Sequence, residues 1–130
     1  MPNILTFTHL GLTAVVHIAV YMGIEVVVIP KFDLEKFCAI TERRKVTYAA
    51  VVPPVVLLLG KSPVVSKYNL SSLRMISSGA APLTKELVDV VRRRLNVLVM
   101  QGYGLSETSP VTHQQVCYVY LLGSIQTPRC

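Results

Sequence analysis

Residues 73–102 read LRMISSGAAPLTKELVDVVRRRLNVLVMQG, and the fold class turns on how this stretch is read. Its centre, 84–95, carries the clearest helical pattern in the chain. Thr84 stands where a capping hydroxyl belongs, and Leu87, Val88, Val91 and Leu95 recur along one side. The flanking runs, 73–79 and 97–102, are short and apolar, and each closes on glycine, as strands do. A connection long enough to hold a helix joins parallel strands rather than a hairpin.

The same alternation continues upstream. VTYAAVV (46–52) is a further strand, stopped by Pro53 and Pro54, and VVLLLGK after it reads as a short helix. DLEKFCAITERR (33–44) is a helix with Asp33 as its N-cap, Glu35 in the first turn, and Leu34, Phe37 and Cys38 on the inner face. EVVVI (25–29), β-branched and ending at Pro30, predicts a buried parallel strand. The order β-α-β-α-β-α-β predicts an α/β fold, a mostly parallel sheet with right-handed crossover helices. Residues 116–130, VCYVYLLGSIQTPRC, break this rhythm and read equally as an extra strand or an unsupported tail.

Composition narrows the classes. The chain has 130 residues, enough for one domain with a core, and a net charge of +6. Its basic runs, Arg43-Arg44-Lys45 and Arg92-Arg93-Arg94, fall at predicted helix ends, where cations complement the dipole and face water. Neither run is interleaved with aromatics, so nucleic acid is not an expected partner. Cys38, Cys117 and Cys130 are an odd set without metal-type spacing, which points to a reducing compartment and a cytoplasmic location. His9, His17 and His113 are scattered and define no metal site. The apolar stretch 10–29 contains His17 and Glu25 and is divided by Gly23. It predicts a buried helix running into a strand rather than a membrane span. No basic residue precedes it, so a secretory signal is not expected.

The chemistry gathers in two loops. SSGAAPL (77–83) leaves the third predicted strand and GYGLSE (102–107) the fourth, and in an open parallel sheet ligands bind beyond such carboxyl ends. The first loop is nearly bare of side chains, so a flat ligand can press on its backbone. In the second, Tyr103 can face a nucleobase, Ser106 can donate to a phosphate oxygen, and Glu107 can hold Mg²⁺ together with ligand phosphates. Taken singly, each loop reads as an ordinary turn, with Tyr103 simply packing. At the ends of successive strands they read as a nucleotide and magnesium site. Two motifs fail. Gly60-Lys61-Ser62 lacks the glycine a phosphate-binding loop needs, since Val55 occupies that place, and the Gly102-x-Gly104 start of a dinucleotide fingerprint meets Glu107. No G-x-S-x-G elbow surrounds Ser77, Ser78 or Ser106, so a hydrolase nucleophile is not expected.

PKFDLEKF, VVPPVV, YNLSSLRMISSGAAPLTKEL and QGYGLSETSP, in this order, resemble the adenylate-forming enzymes, and within them the 4-coumarate–CoA ligase and acyl-CoA synthetase group. The resemblance implies that residues 1–115 are part of an AMP-binding domain, inside the large N-terminal domain of such an enzyme, followed by a divergent tail at 116–130. It implies an activity that joins a carboxylic acid to AMP from ATP and then to coenzyme A as a thioester. By the same resemblance Gly79, Ala80 and Ala81 line the adenine pocket, while Gln101, Gly102 and Tyr103 line the adenine and acyl sites, with Tyr103 stacking on the base. Ser106, where threonine is usual, contacts the α-phosphate and Glu107 binds magnesium, these two being the implied catalytic residues. Pro110 and Val111 wall the acyl pocket. Lys31 matches a basic position that meets coenzyme A, and reads equally as a solvated lysine after a strand.

The departures are specific. The phosphate loop ending in Pro-Lys-Gly, the Thr-Gly-Asp motif whose aspartate holds ribose, and the domain bearing the catalytic lysine are not in this sequence. The usual HIYG of the acyl site is THLG here, with His9 one place out of register. The expectation is therefore a stretch of ligase carrying the adenine and magnesium segment and inactive alone. The alternative is a non-catalytic interaction module that associates with a full-length ligase.

Overall fold

The computed structural model describes residues 3–6, 17–29, 31–108 and 111–115. Its strands are β1 (Asn3–Thr6), β2 (Val26–Ile29), β3 (Tyr48–Val51), β4 (Met75–Ser78), β5 (Leu98–Tyr103) and β6 (His113–Gln114). Its α-helices are α1 (His17–Met22), α2 (Leu34–Arg44), α3 (Pro53–Lys61) and α4 (Lys85–Leu95), with 3₁₀ turns at Pro63–Lys67 and Ser106–Thr108. The sheet order is β2-β1-β3-β4-β5-β6, parallel throughout except for the β5–β6 pair. The expected α/β architecture is present.

Local chemistry sets the helix ends. The Asp33 carboxylate accepts from Lys36 N at 3.0 Å and the Thr84 hydroxyl from Leu87 N at 3.4 Å, each satisfying an N–H that the first turn leaves free. Lys45 and Asn96 close α2 and α4 in the left-handed conformation, at φ 50° and 52°. Helix α3 starts at Pro53, two residues before the predicted Val55, because proline at the first helical positions has no N–H to leave unpaired. Gly60 lies inside α3, so the Gly-Lys-Ser stretch ends a helix instead of opening one.

Helices α2, α3 and α4 cover one face of the sheet. Phe37 and Cys38, Val55, Val56 and Leu59, and Val91 pack on Ile29, Ala49, Val51, Ile76 and Val99 in one buried cluster. Alternation sends Val26, Tyr48 and Ala50 to the opposite face, where they form a small second cluster. Gly60 lets α3 and α4 approach: a Cβ there would stand 3.1 Å from Val91 Cγ2.

Four expectations need correction. Strand β1 was not anticipated; it lies between β2 and β3 and supplies the sheet's second position. The described sheet ends at β2, which pairs only with β1, and Val28 is 49% exposed rather than buried. Helix α1 is not a buried helix: Ala19 is buried, but His17, Val20 and Tyr21 are exposed. Arg94 does not simply face water. Its guanidinium donates to Leu59 O (3.3 Å), Gly60 O (2.9 Å), Ser62 O (2.7 Å) and Ser66 Oγ (2.8 Å), satisfying carbonyls at the C-terminus of α3. The other basic run stays exposed, with Arg44 3.4 Å from Glu25. Among the described residues no helix is long and apolar enough to cross a membrane. The tail at 116–130 and the THLG stretch lie outside the described residues.

Candidate functional site

Strands β4 and β5 are parallel neighbours with Ser78 opposite Gln101, so the loops that leave their carboxyl ends start side by side. The first loop is held down by the Gln101 side chain, whose Oε1 accepts from Leu83 N at 2.9 Å. Its left-handed residue is Ala80, at φ 74°, not the adjacent Gly79. At Gly79 a Cβ would lie 3.5 Å from Gly102 O, an ordinary van der Waals contact, so neither space nor backbone conformation demands glycine there.

The second loop folds back on itself. Leu105 N donates to Thr108 Oγ1 (3.0 Å), whose hydroxyl donates to Leu105 O (2.9 Å), and this reciprocal pair closes the 3₁₀ turn. Thr112 then returns its N–H (3.0 Å) and its hydroxyl (3.2 Å) to Tyr103 O. Gln115 N donates to Gln101 O at 3.0 Å, and Gln101 N to Gln115 Oε1 at 3.0 Å. These bonds place β6 antiparallel to β5, with Tyr103 opposite His113. Gln114 Nε2 reaches across to Ser77 Oγ at 3.1 Å and ties the return strand to β4.

Between the loops and β6 is a cavity of about 710 Å³, within the size range of small-molecule sites. Ala80, Ala81, Gln101, Gly102 and Tyr103, all expected at a site, line it together. Tyr103 is 62% exposed, and its ring lies 6.4 Å from the His113 ring, tilted by 51°. Its face is free to take a planar ligand. The cavity lies at the β4–β5–β6 end of the sheet, two strand positions from the β1–β3 junction where the connection direction reverses.

The remaining expected residues are placed differently. Glu107 is exposed on the 3₁₀ turn, and Ser106 belongs to the same turn. Among the described residues no three His, Cys, Asp or Glu side chains gather to hold a metal. A single carboxylate there suits a cation that takes its other ligands from phosphates and water, the habit of Mg²⁺. Val111 is half-buried and, like Gly79, is not part of the described cavity lining. Pro110 lies outside the described residues. Lys31 is exposed just beyond β2, four strand positions from β5, about 19 Å at ordinary strand spacing. It is not brought to the cavity.

Pro82, Gly104, Leu105, His113, Gln114 and Gln115 complete the lining and were not expected from the sequence. The signal for Gly104 and Leu105 was their place inside GYGLSE. None existed for His113 to Gln115, whose strand is two residues long.

Known proteins place this geometry in context. Residues 3–129 match the family model described as AMP-binding enzyme. The chain is 46% identical over 113 residues to 4-coumarate–CoA ligase 1 of Petroselinum crispum, covering 85% of this chain and 21% of that protein. It is 39% identical over 128 residues to the probable 4-coumarate–CoA ligase 1 of Dictyostelium discoideum, covering 96% of this chain and 22% of that one. The chain thus spans about a fifth of the length of the curated relatives it matches. Among solved structures, O-succinylbenzoate coenzyme A synthetase of Bacillus subtilis, in complex with ATP and magnesium ion, superposes with a TM-score of 0.76 at 23% identity. That match covers 98% of this chain and 27% of that one and shows a shared fold.

Proposed function

The chain belongs to the AMP-binding enzyme family, and on that premise we propose that its cavity receives the adenylate portion of a nucleotide, within a ligase of the 4-coumarate–CoA type. One observation carries the reading: the loops after β4 and β5 and the return strand enclose a single cavity with an exposed aromatic ring and a nearly side-chain-free wall. A purine fits such a slot by stacking on Tyr103 while Ala80, Ala81 and Gly102 allow close approach to backbone. Gln101, with its amide oxygen committed to Leu83 N, holds the wall in place.

Ser106 would meet the α-phosphate. Glu107, exposed on the same turn, would hold Mg²⁺ against the phosphates, and the ion would supply neutralisation of their charge. Pro110 and Val111 would wall the acid's side. In the complete reaction the acid's carboxylate attacks the α-phosphorus of ATP and pyrophosphate leaves. A thiol of coenzyme A then displaces AMP to give the thioester. Lys31, on the far side of the sheet, would act only on a long ligand such as coenzyme A. We place the reaction in the cytoplasm. The described cavity lining holds no lysine or arginine to meet the phosphates, so this chain by itself is proposed to bind adenylates without turning them over. A second reading, a module that pairs with a full-length ligase, draws on the sheet face opposite the helices, where Val28 is half exposed.

The test is calorimetric titration of the chain with a non-hydrolysable acyl-adenylate mimic, with and without Mg²⁺. Saturable binding is expected, weakened roughly 5- to 150-fold by Tyr103→Ala, the range for loss of a base stack. Enhancement by Mg²⁺ should vanish in Glu107→Ala. A folded chain that binds no mimic would remove the adenylate reading and leave the second one.

A further inference from the structure

We propose that His113 is the cavity's anion-recognising residue, giving it a preference for ligands that carry an acidic oxygen, a carboxylate or a phosphate. This rests on the adenylate reading and adds to it a residue that lies outside the sequence motifs carrying the resemblance, the last of which ends at Pro110.

The described lining contains no lysine, arginine, aspartate or glutamate. His113 is therefore the one described lining side chain able to carry positive charge, and it is exposed to the space it borders. The return strand fixes its place, opposite Tyr103 in the β5–β6 pair.

Hydrogen-bond accounting then separates the two ring nitrogens. Nδ1 lies 3.0 Å from Thr112 Oγ1. That hydroxyl has one proton, and it donates it to Tyr103 O at 3.2 Å. With the ring protonated both nitrogens carry hydrogen, and Nδ1–H is then satisfied by Thr112 Oγ1, whose own proton stays directed at Tyr103 O. Nε2 has no hydrogen-bond partner among the described residues. When the ring is protonated, Nε2–H is a charge-assisted donor with nothing in the protein to satisfy it. When the ring is neutral, one of its nitrogens is an acceptor and the charge assistance is gone. An anionic oxygen entering the cavity matches the first state and completes the ring's hydrogen bonding. The Thr112 contact would hold the ring while it does so.

Two anionic groups of the proposed chemistry could be the one recognised, the phosphate of an adenylate or the carboxylate of the acid, and matched ligand pairs separate them. The full chain is titrated at pH 6 with AMP and adenosine, and with 4-coumarate and its methyl ester. Each titration is repeated on His113→Gln and on His113→Lys. The wild-type chain is expected to prefer the charged member of one pair by roughly tenfold, the effect of one charge-assisted hydrogen bond. His113→Gln should lower affinity for the charged member more than for the uncharged one and so abolish the preference, and His113→Lys should retain it. The pair that responds identifies the anion. If adenosine and AMP bind but no preference depends on residue 113, this inference is overturned and the adenylate reading stands. If no ligand of either pair binds a folded chain, both fall.

Discussion

Replacing Gln101 by methionine tests whether one side chain holds the site's wall in place. Methionine keeps the length and bulk of glutamine but removes the oxygen that accepts from Leu83 N at 2.9 Å. Leu83 is buried, at 9% exposure, and the bond itself is part-buried, so water replaces the lost acceptor only in part. Leaving a buried donor unpaired costs about 1–3 kcal/mol. The backbone bonds between Gln101 and Gln115 involve main-chain atoms of residue 101 and survive the substitution. With a urea slope of about 2 kcal/mol per M, a cost near 2 kcal/mol moves the unfolding midpoint down by about 1 M. Gln101→Glu retains an acceptor and should unfold close to wild type. The same pair should differ in binding, with the methionine variant weaker because Ala80 and Ala81 are no longer held against β5. A methionine variant that unfolds within about 0.2 M of wild type, at an unchanged slope, would refute the role assigned to this hydrogen bond.

Three further perturbations have defined outcomes. Arg94→Met removes three hydrogen bonds to carbonyls at the α3 terminus and one to Ser66 Oγ and should destabilise the chain by about 2–3 kcal/mol in denaturant titration, with Arg94→Lys recovering little because a single ammonium cannot reproduce the guanidinium fork. Ala80→Gly relieves a left-handed alanine at φ 74° and should stabilise by about 0.5–1 kcal/mol, the relief exceeding glycine's added chain entropy, whereas Ala80→Val should lower the melting temperature. Burial pushes the Cys38 thiol up to about 11 from an ordinary value of 9.0, against a smaller opposing pull from the Arg94 guanidinium. The unfolded chain therefore loses this proton first as pH rises, so stability from the buried neutral thiol is complete below about 9 and is lost towards 11. Stability measured between those limits should fall more steeply for wild type than for Cys38→Ala, and equal slopes would contradict the assignment.

What could be read from the sequence, and what could not, follows from the range of the forces involved. The cap at Asp33, the cap at Thr84 and the inner faces of α2 and α4 depend on residues within a turn or two, and each is visible in the order of side chains. The exposure of Val28 is not local. It depends on β2 being the terminal strand of the described sheet, which no property of residues 25–29 encodes. An apolar β-branched run looks the same whether it ends up central or at an edge. Arg94 makes the same point from the surface. Within RRR it is indistinguishable from its neighbours, and only the packing of α4 on α3 brings it to the open carbonyls of Leu59, Gly60 and Ser62.

The site divides along the same line. Its β4 and β5 loops were legible because glycine, alanine and an isolated aromatic signal a place where backbone and ring must be accessible to a ligand. The wall formed by His113, Gln114 and Gln115 was not, since a two-residue strand has no periodicity to detect. What creates that strand is a set of hydrogen bonds returning to Tyr103 O, Gln101 O and Gln101 N, made by Thr112 and Gln115. The cavity therefore owes one wall to composition and another to long-range pairing. Substitutions in the first should change what binds. Changes at Thr112 or Gln115 that break the pairing should remove the enclosure itself, affecting charged and uncharged ligands alike, and that difference separates a residue that recognises the ligand from one that builds the pocket.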